Sequence, residues 1–333
     1  MKNPESEFSK PPRESAVSKV VARTPEEEKF MLEYYQSILE CQDKFGAEVE
    51  KTPEELALVG ELNQKMKRFV EDYGGEWIEI KPENIHILDI NKANEKDKEL
   101  FNRVSIGGFF SLDEQAIFVF KNFAKLKFVG TLVHEMLHFN SFNSLNGFID
   151  KKTDELVIKK RRGGLNVCVR GESESYFNDL DEAVITELAI RFDWRHFADL
   201  EFIKEEFKNM EGLRERLYMK GKKETADELE AVATEVDEQS PPRYTATPIR
   251  RSYFDERKML WTIINEIYRH NKDRFSNTEE IFGIFAEAVM SGKLLPIARL
   301  IEQTFGKKTF RTIGELTKFE SLEKRHGQDK QKK

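Results

Sequence analysis

Apolar residues recur every three or four positions over most of this chain, and short β-prone runs interrupt that period in one central region. The first helical signal opens at Thr24-Pro25-Glu26-Glu27, where a Thr cap, a Pro in the first turn and a Glu three residues after the cap combine. Met31, Tyr34, Ile38, Cys41 and Phe45 follow at helical spacing. The signal returns at Thr52-Pro53-Glu54-Glu55, followed by Leu56, Val59, Leu62, Met66 and Phe69. Residues 24–75 are therefore expected to form a helical hairpin. Residues 1–23, rich in Ser, Pro, Lys and Glu, bury too little apolar surface to offset ordering and are expected to be a flexible tail.

Between residues 76 and 198 the period changes twice. Trp77-Ile78-Glu79-Ile80 and Ile85-His86-Ile87-Leu88 are short and β-prone, and Gly107-Gly108-Phe109-Phe110 and Ala116-Ile117-Phe118-Val119-Phe120 flank a polar turn, as a hairpin does. A helix is predicted over about 122–142. Leu156-Val157-Ile158 and Leu165-Asn166-Val167-Cys168-Val169 flank Arg162-Gly163-Gly164, which predicts a second hairpin. From Tyr176 onward the pattern reads as helical, with breaks near Gly221, at Ser240-Pro241-Pro242, at Gly292 and at Gly306. Residues 199–240 read as a charged helical arm, including a solvated acidic helix from Glu224 to Glu238. Residues 241–318 read as a C-terminal helical subdomain and 319–333 as a basic tail. The fold class is α+β: a small, mostly antiparallel sheet with a predominantly helical remainder.

Composition narrows the function classes. With 39% apolar residues and 26 Phe among 333, the chain can build a core, while 35% charged residues keep its surface wet. The 54 basic and 61 acidic residues give a net charge of −7, which argues against a nucleic-acid partner. The basic groups at Lys159-Lys160-Arg161-Arg162, Lys324-Arg325 and Lys330–Lys333 read as solvated surface. Two cysteines, Cys41 and Cys168, are too few for a disulfide framework and fit a reducing compartment. No apolar run approaches the roughly 20 residues of a membrane span, and the first residues lack a signal peptide's apolar stretch. A cytoplasmic protein with no membrane partner is expected.

The chemistry concentrates in His134-Glu135-Met136-Leu137-His138, inside the helix predicted over 122–142. Residues four apart on a helix project from nearly the same side, so both imidazoles reach one ion. Glu135 sits about 100° round the helix and can address a water on that ion without ligating it. Zinc hydrolysis needs that division of labour: neutral nitrogen ligands, and a carboxylate that takes a proton from water. Leu132, Val133, Met136 and Leu137 mark the helix as largely buried, where two His and a Glu are costly unless paired or metal-bound. Two His do not complete a zinc site. Ser141 and Ser144 occupy the positions where a metzincin carries Gly and His, so that class is excluded. Candidates for a third ligand are Asp150 in Gly147-Phe148-Ile149-Asp150, Cys168, and Glu182 in Leu180-Asp181-Glu182-Ala183.

Together, the His-Glu-x-x-His helix and the later Leu-x-Glu-Ala segment resemble the gluzincin zinc metallopeptidases over about residues 105–195. The resemblance implies a zincin-like core, Zn2+ held by His134, His138 and Glu182, Glu135 as general base, and a peptide or protein substrate. It implies a Tyr or His near the oxyanion. Tyr253, which opens a helix in Arg251-Ser252-Tyr253-Phe254, is the first choice over Tyr176, Tyr244, His196 and His270. It implies an edge strand that pairs with extended substrate, for which Ala116–Phe120 is the candidate, with an interior strand as the equal alternative reading of that run. Thermolysin-like members carry an Asp four residues after the third ligand to orient a His. Here Thr186 stands there, leaving Glu187 or Asp181 for that task. The Gly-Ala-Met-Glu-Asn signature of zinc aminopeptidases is absent before the helix, so an endopeptidase is the expected type. Two rivals remain. One is a catalytically silent zinc-binding or interaction protein with a vestigial site, which Asp150 or Cys168 would close; the other is a zinc hydrolase of non-peptide amides.

Overall fold

Thr52 caps helix Pro53–Asp72 as its sequence predicts. Its hydroxyl accepts from the Glu55 N–H at 3.2 Å, and the Glu55 carboxylate accepts from the Thr52 N–H at 2.7 Å. The computed structural model describes residues 19–21, 29, 47–93, 107–112, 114–121, 124–149, 156–168, 175–237 and 243–317. The expected first helix of the hairpin and the basic tail at 319–333 fall outside the described residues, apart from Lys29. The fold class is α+β.

The chain opens with β1 (Lys19–Val21) and β2 (Glu48–Val49), followed by helix α1 (Pro53–Asp72) and β3 (Ile85–Leu88). The expected tail is thus structured at β1, a β-prone Lys-Val-Val. Strands β4 (Gly108–Ser111) and β5 (Ala116–Phe120) form the predicted hairpin, in register Gly108↔Val119 to Ser111↔Ala116. The four strands stand in the order β2-β3-β5-β4, with β3 and β5 parallel. This chooses between the two readings of Ala116–Phe120: β5 is an interior strand, all five of its residues are buried, and the edge is β4. A continuous apolar run is what a strand covered on both faces requires.

Helix α2 (Lys125–Asn140) carries the His-Glu-x-x-His motif and packs on β4 and β5. It is shorter than 122–142 at its C-terminal end because the buried Asn143 amide satisfies the carbonyls there. Its Nδ2 donates to His138 O at 3.1 Å and to Phe139 O at 3.3 Å. A second sheet follows, of β6 (Asn143–Ile149), β7 (Leu156–Gly163), β8 (Asn166–Cys168) and β9 (Ser175–Tyr176), with β1 parallel to β6 at one end. The β7–β8 turn is the predicted one. Arg162 departs from the solvated reading: its guanidinium donates to Gly292 O at 2.6 Å and Ala288 O at 3.1 Å, tying this hairpin to a later helix end.

Helix α3 (Asn178–His196) presents Glu182 and crosses α2. Helices α4 (Lys204–Met219) and α5 (Lys223–Asp227) follow, and then the helical reading fails. Strands β10 (Leu229–Asp237) and β11 (Arg243–Arg250) form an antiparallel ribbon where the sequence predicts a solvated helix and its continuation. Glu, Ala and Leu there favour a helix locally, but Val232, Thr234 and Val236 are β-branched at period two, and a paired partner decides such cases. Helices α6 (Phe254–His270), α7 (Thr278–Ser291), α8 (Leu294–Phe305) and α9 (Thr309–Leu316) complete the chain, with breaks at Gly292 and Gly306 as expected. No helix among the described residues is long and apolar enough to cross a membrane.

Candidate metal centre

Helix α2 is buried along most of its length, and its only half-open face is the one bearing His134 and His138. Val133, Met136 and Leu137 fill the core on the opposite side, which holds the two imidazoles toward α3. Glu182, in the second turn of α3, meets them. His134 Nε2 lies 3.1 Å from His138 Nε2 and 3.3 Å from Glu182 Oε2, and His138 Nε2 lies 3.4 Å from the same oxygen. Among the described residues this is the one group of three or more His, Cys, Asp or Glu whose ligand atoms converge, all within 4.8 Å. Cys168, on β8, is not part of it, and Asp150 lies outside the described residues.

The donor set fits zinc. Ligand atoms about 2.0–2.1 Å from a tetrahedral ion stand about 3.3–3.4 Å apart, close to the three edges of this triangle. Two neutral imidazole nitrogens 3.1 Å apart repel unless a proton or cation lies between them. The surrounding charge favours a cation as well. Burial pushes the His138 pKa down, but Glu182, Glu135 and Asp181 overcome it and raise it to about 9. For Glu182, burial acts upward, yet the two histidines hold its carboxyl below the usual range.

Glu135 is 5% exposed and lies beside the triangle without joining it. Burial pushes its pKa above the ordinary carboxylate value, against the pull of both histidines and of the Phe110 N–H that donates to it. That donor comes from the edge strand. Phe120 N–H donates to Gly107 O, so ladder parity turns the N–H and C=O groups of Gly108 and Phe110 away from β5, toward the cavity. Gly108 permits the close approach: a Cβ there would stand 2.5 Å from Phe118 O and 2.8 Å from Thr131 on α2. These edge groups, missed in the sequence, were legible only once β5 was known to be interior.

A cavity of about 170 Å³ covers the cluster, and Tyr253 lines it. Tyr253 sits in a left-handed conformation (φ 56°) at the start of α6, and its ring stacks on His134 at 5.7 Å and 8°. Burial and then the Glu182 and Glu135 charges drive its pKa up, so its hydroxyl stays a donor. The alternatives stand elsewhere. His196, fourteen residues past Glu182 on α3, is about 20 Å along the helix and packs on Phe192. His270 is exposed at the end of α6, and Tyr176 on β9 does not line the cavity. Tyr244 is on β11, and its side chain is outside the described set.

Of the two acids weighed for orienting a His, Asp181 is the one that stands beside His138. Its Oδ2 is 3.9 Å from His138 Nδ1, and its Oδ1 accepts from the Leu165 N–H at 2.6 Å. Thr186 faces a smaller cavity, about 40 Å³, on the other side of His134, and its buried Oγ1 has no hydrogen-bond partner. Glu187 instead accepts from Arg257 Nε at 2.7 Å and Arg191 Nη1 at 2.8 Å, joining α3 to α6. Burial acts upward on Glu187, but Arg257 and then Arg191 hold it below its ordinary value of 4.5. Its charged form is therefore stabilised by folding, a contribution present above that value and lost as pH falls through the native pKa. Glu187→Gln should lower stability at pH 7 by about 3 kcal/mol, with the deficit shrinking below pH 4.5. Urea unfolding at pH 7 and pH 4 checks this; an equal deficit at both contradicts it.

Comparison of the chain with protein-family models, with curated proteins and with solved structures finds no match.

Proposed function

We propose that this chain is a zinc-dependent peptidase of gluzincin type with a zincin-like core. The observation that carries this reading is the triangle of His134, His138 and Glu182 ligand atoms, 3.1–3.4 Å on a side, with the Glu135 carboxylate beside it. Zinc held there supplies Lewis acidity, polarising a carbonyl and bringing the pKa of water toward neutrality. Glu135 takes the proton of the attacking water and passes it to the leaving amine, both of which its raised pKa assists. The outward main-chain groups of Gly108 and the Phe110 carbonyl pair with an extended peptide along β4. Asp181, 3.9 Å from His138 Nδ1, lends its charge to that ring.

Tyr253 donates its hydroxyl to the oxyanion that develops on the scissile carbonyl. Tyr253→Phe should lower kcat by about 10²-fold with little change in KM or zinc content. Steady-state kinetics and elemental analysis check this, and an unchanged kcat removes Tyr253 from the mechanism.

The reading as a whole is tested by incubating zinc-loaded protein with a mixed peptide library. Cleavage that stops with a chelator and returns with zinc supports it. Full zinc occupancy with no cleavage supports the catalytically silent alternative.

A further inference from the structure

The basic run Lys159-Lys160-Arg161-Arg162 lies wholly on β7, and Lys160 is the member that lines the cavity over the metal cluster. It is half-buried, and its side chain makes no hydrogen bond or ion pair among the described residues. That is unusual for this molecule. Lys127 pairs with Glu230 at 2.8 Å, Arg251 with Asp193 at 2.8 Å, and Arg257 with Glu187 and Glu228 at 2.7 Å. A half-buried ammonium with no hydrogen-bonded acceptor is placed to meet one that enters the cleft.

The chain also makes room for it. A Cβ at Gly163 would lie 2.8 Å from Lys160 Cε and 2.9 Å from its Nζ, so glycine leaves the space the ammonium fills. Asp181 feels the Lys160 charge but makes no ion pair with it; its Oδ1 accepts from the Leu165 N–H and its Oδ2 stands near His138. The same cavity is lined by the neutral amides Asn143, Asn166 and Asn178, and by Glu135 and Glu182 of the metal cluster, which a bound cation would offset.

We infer that Lys160 is a substrate-recognition residue that receives a carboxylate of the peptide, so the cleft selects anionic peptides. The inference rests on the peptidase reading above and names its substrate class. The carboxylate comes from an Asp or Glu side chain or from a free C-terminus, and matched peptides separate the two sources.

The test uses full-length, zinc-loaded protein carrying Glu135→Gln, so that binding is read without turnover. Calorimetry compares Ala-rich peptides bearing Glu at successive positions with their Gln counterparts, each with a free or an amidated C-terminus. The carboxylate form at one position, or the free acid, should bind about tenfold tighter than its neutral match. Lys160→Met should erase that difference, and Lys160→Glu should shift preference to a Lys-bearing peptide. Gly163→Ala, which displaces the ammonium without removing it, should weaken the preference and leave neutral peptides unaffected. Equal affinity for charged and neutral peptides overturns the inference alone, as does a preference that survives Lys160→Met. Failure of every peptide to bind overturns it together with the peptidase reading.

Discussion

Glu135→Gln is expected to cut peptide turnover by about 10³-fold or more while zinc content stays near that of the parent. The amide matches the carboxylate in shape, and Glu135 is not one of the three converging ligands. Only its capacity to take and return a proton is lost. Folding should not suffer, because burial already disfavours the charged form of Glu135, and the amide oxygen still accepts from the Phe110 N–H. Stability measured by urea unfolding should stay within about 1 kcal/mol of the parent. Turnover, zinc content and stability measured on one preparation separate a lost base from a lost metal site. Retained cleavage would remove Glu135 from the chemistry.

Glu182→Ala should act differently, removing the metal and the activity together. The two histidines sit four residues apart on one helix and offer only nitrogen ligands, and α3 supplies the single oxygen facing both, at 3.3 and 3.4 Å. Zinc bound by the native chain stabilises it by mass action, about 4 kcal/mol at a thousandfold excess over Kd. Added zinc should therefore raise the Tm of the parent by several degrees and leave Glu182→Ala unmoved. Without the metal, the variant also loses the carboxylate that favours charge on His138. A zinc-dependent rise of equal size in both proteins would assign the third ligand elsewhere.

The parts of this site that sequence exposes are those held by local geometry. His134, Glu135 and His138 are placed by one helix, whose spacing alone sets their directions, and the Thr52 cap follows from four consecutive residues. Glu182 was one of three candidates for the third ligand before the resemblance selected it. The fold brings it to the histidines through the α2–α3 crossing, a contact no local pattern contains. Which strand is the edge stays open in the sequence for a similar reason. The hairpin of β4 and β5 is visible in the sequence, but which arm is free depends on β3 returning parallel to β5. The ribbon of β10 and β11 was hidden by helix-forming Glu and Ala, whose preference is overridden by pairing between segments. In the sequence Lys160 is one of four like cations, and only the path of β7 past Gly163 separates it from Arg162, which binds main-chain carbonyls of the α7 end.

The most direct test of the central claim is zinc per chain, by elemental analysis of protein purified without a metal-affinity tag. The account predicts about one equivalent, abolished by Glu182→Ala and preserved by Glu135→Gln. No zinc in the purified protein, and none taken up when zinc is added to the folded chain, would contradict it.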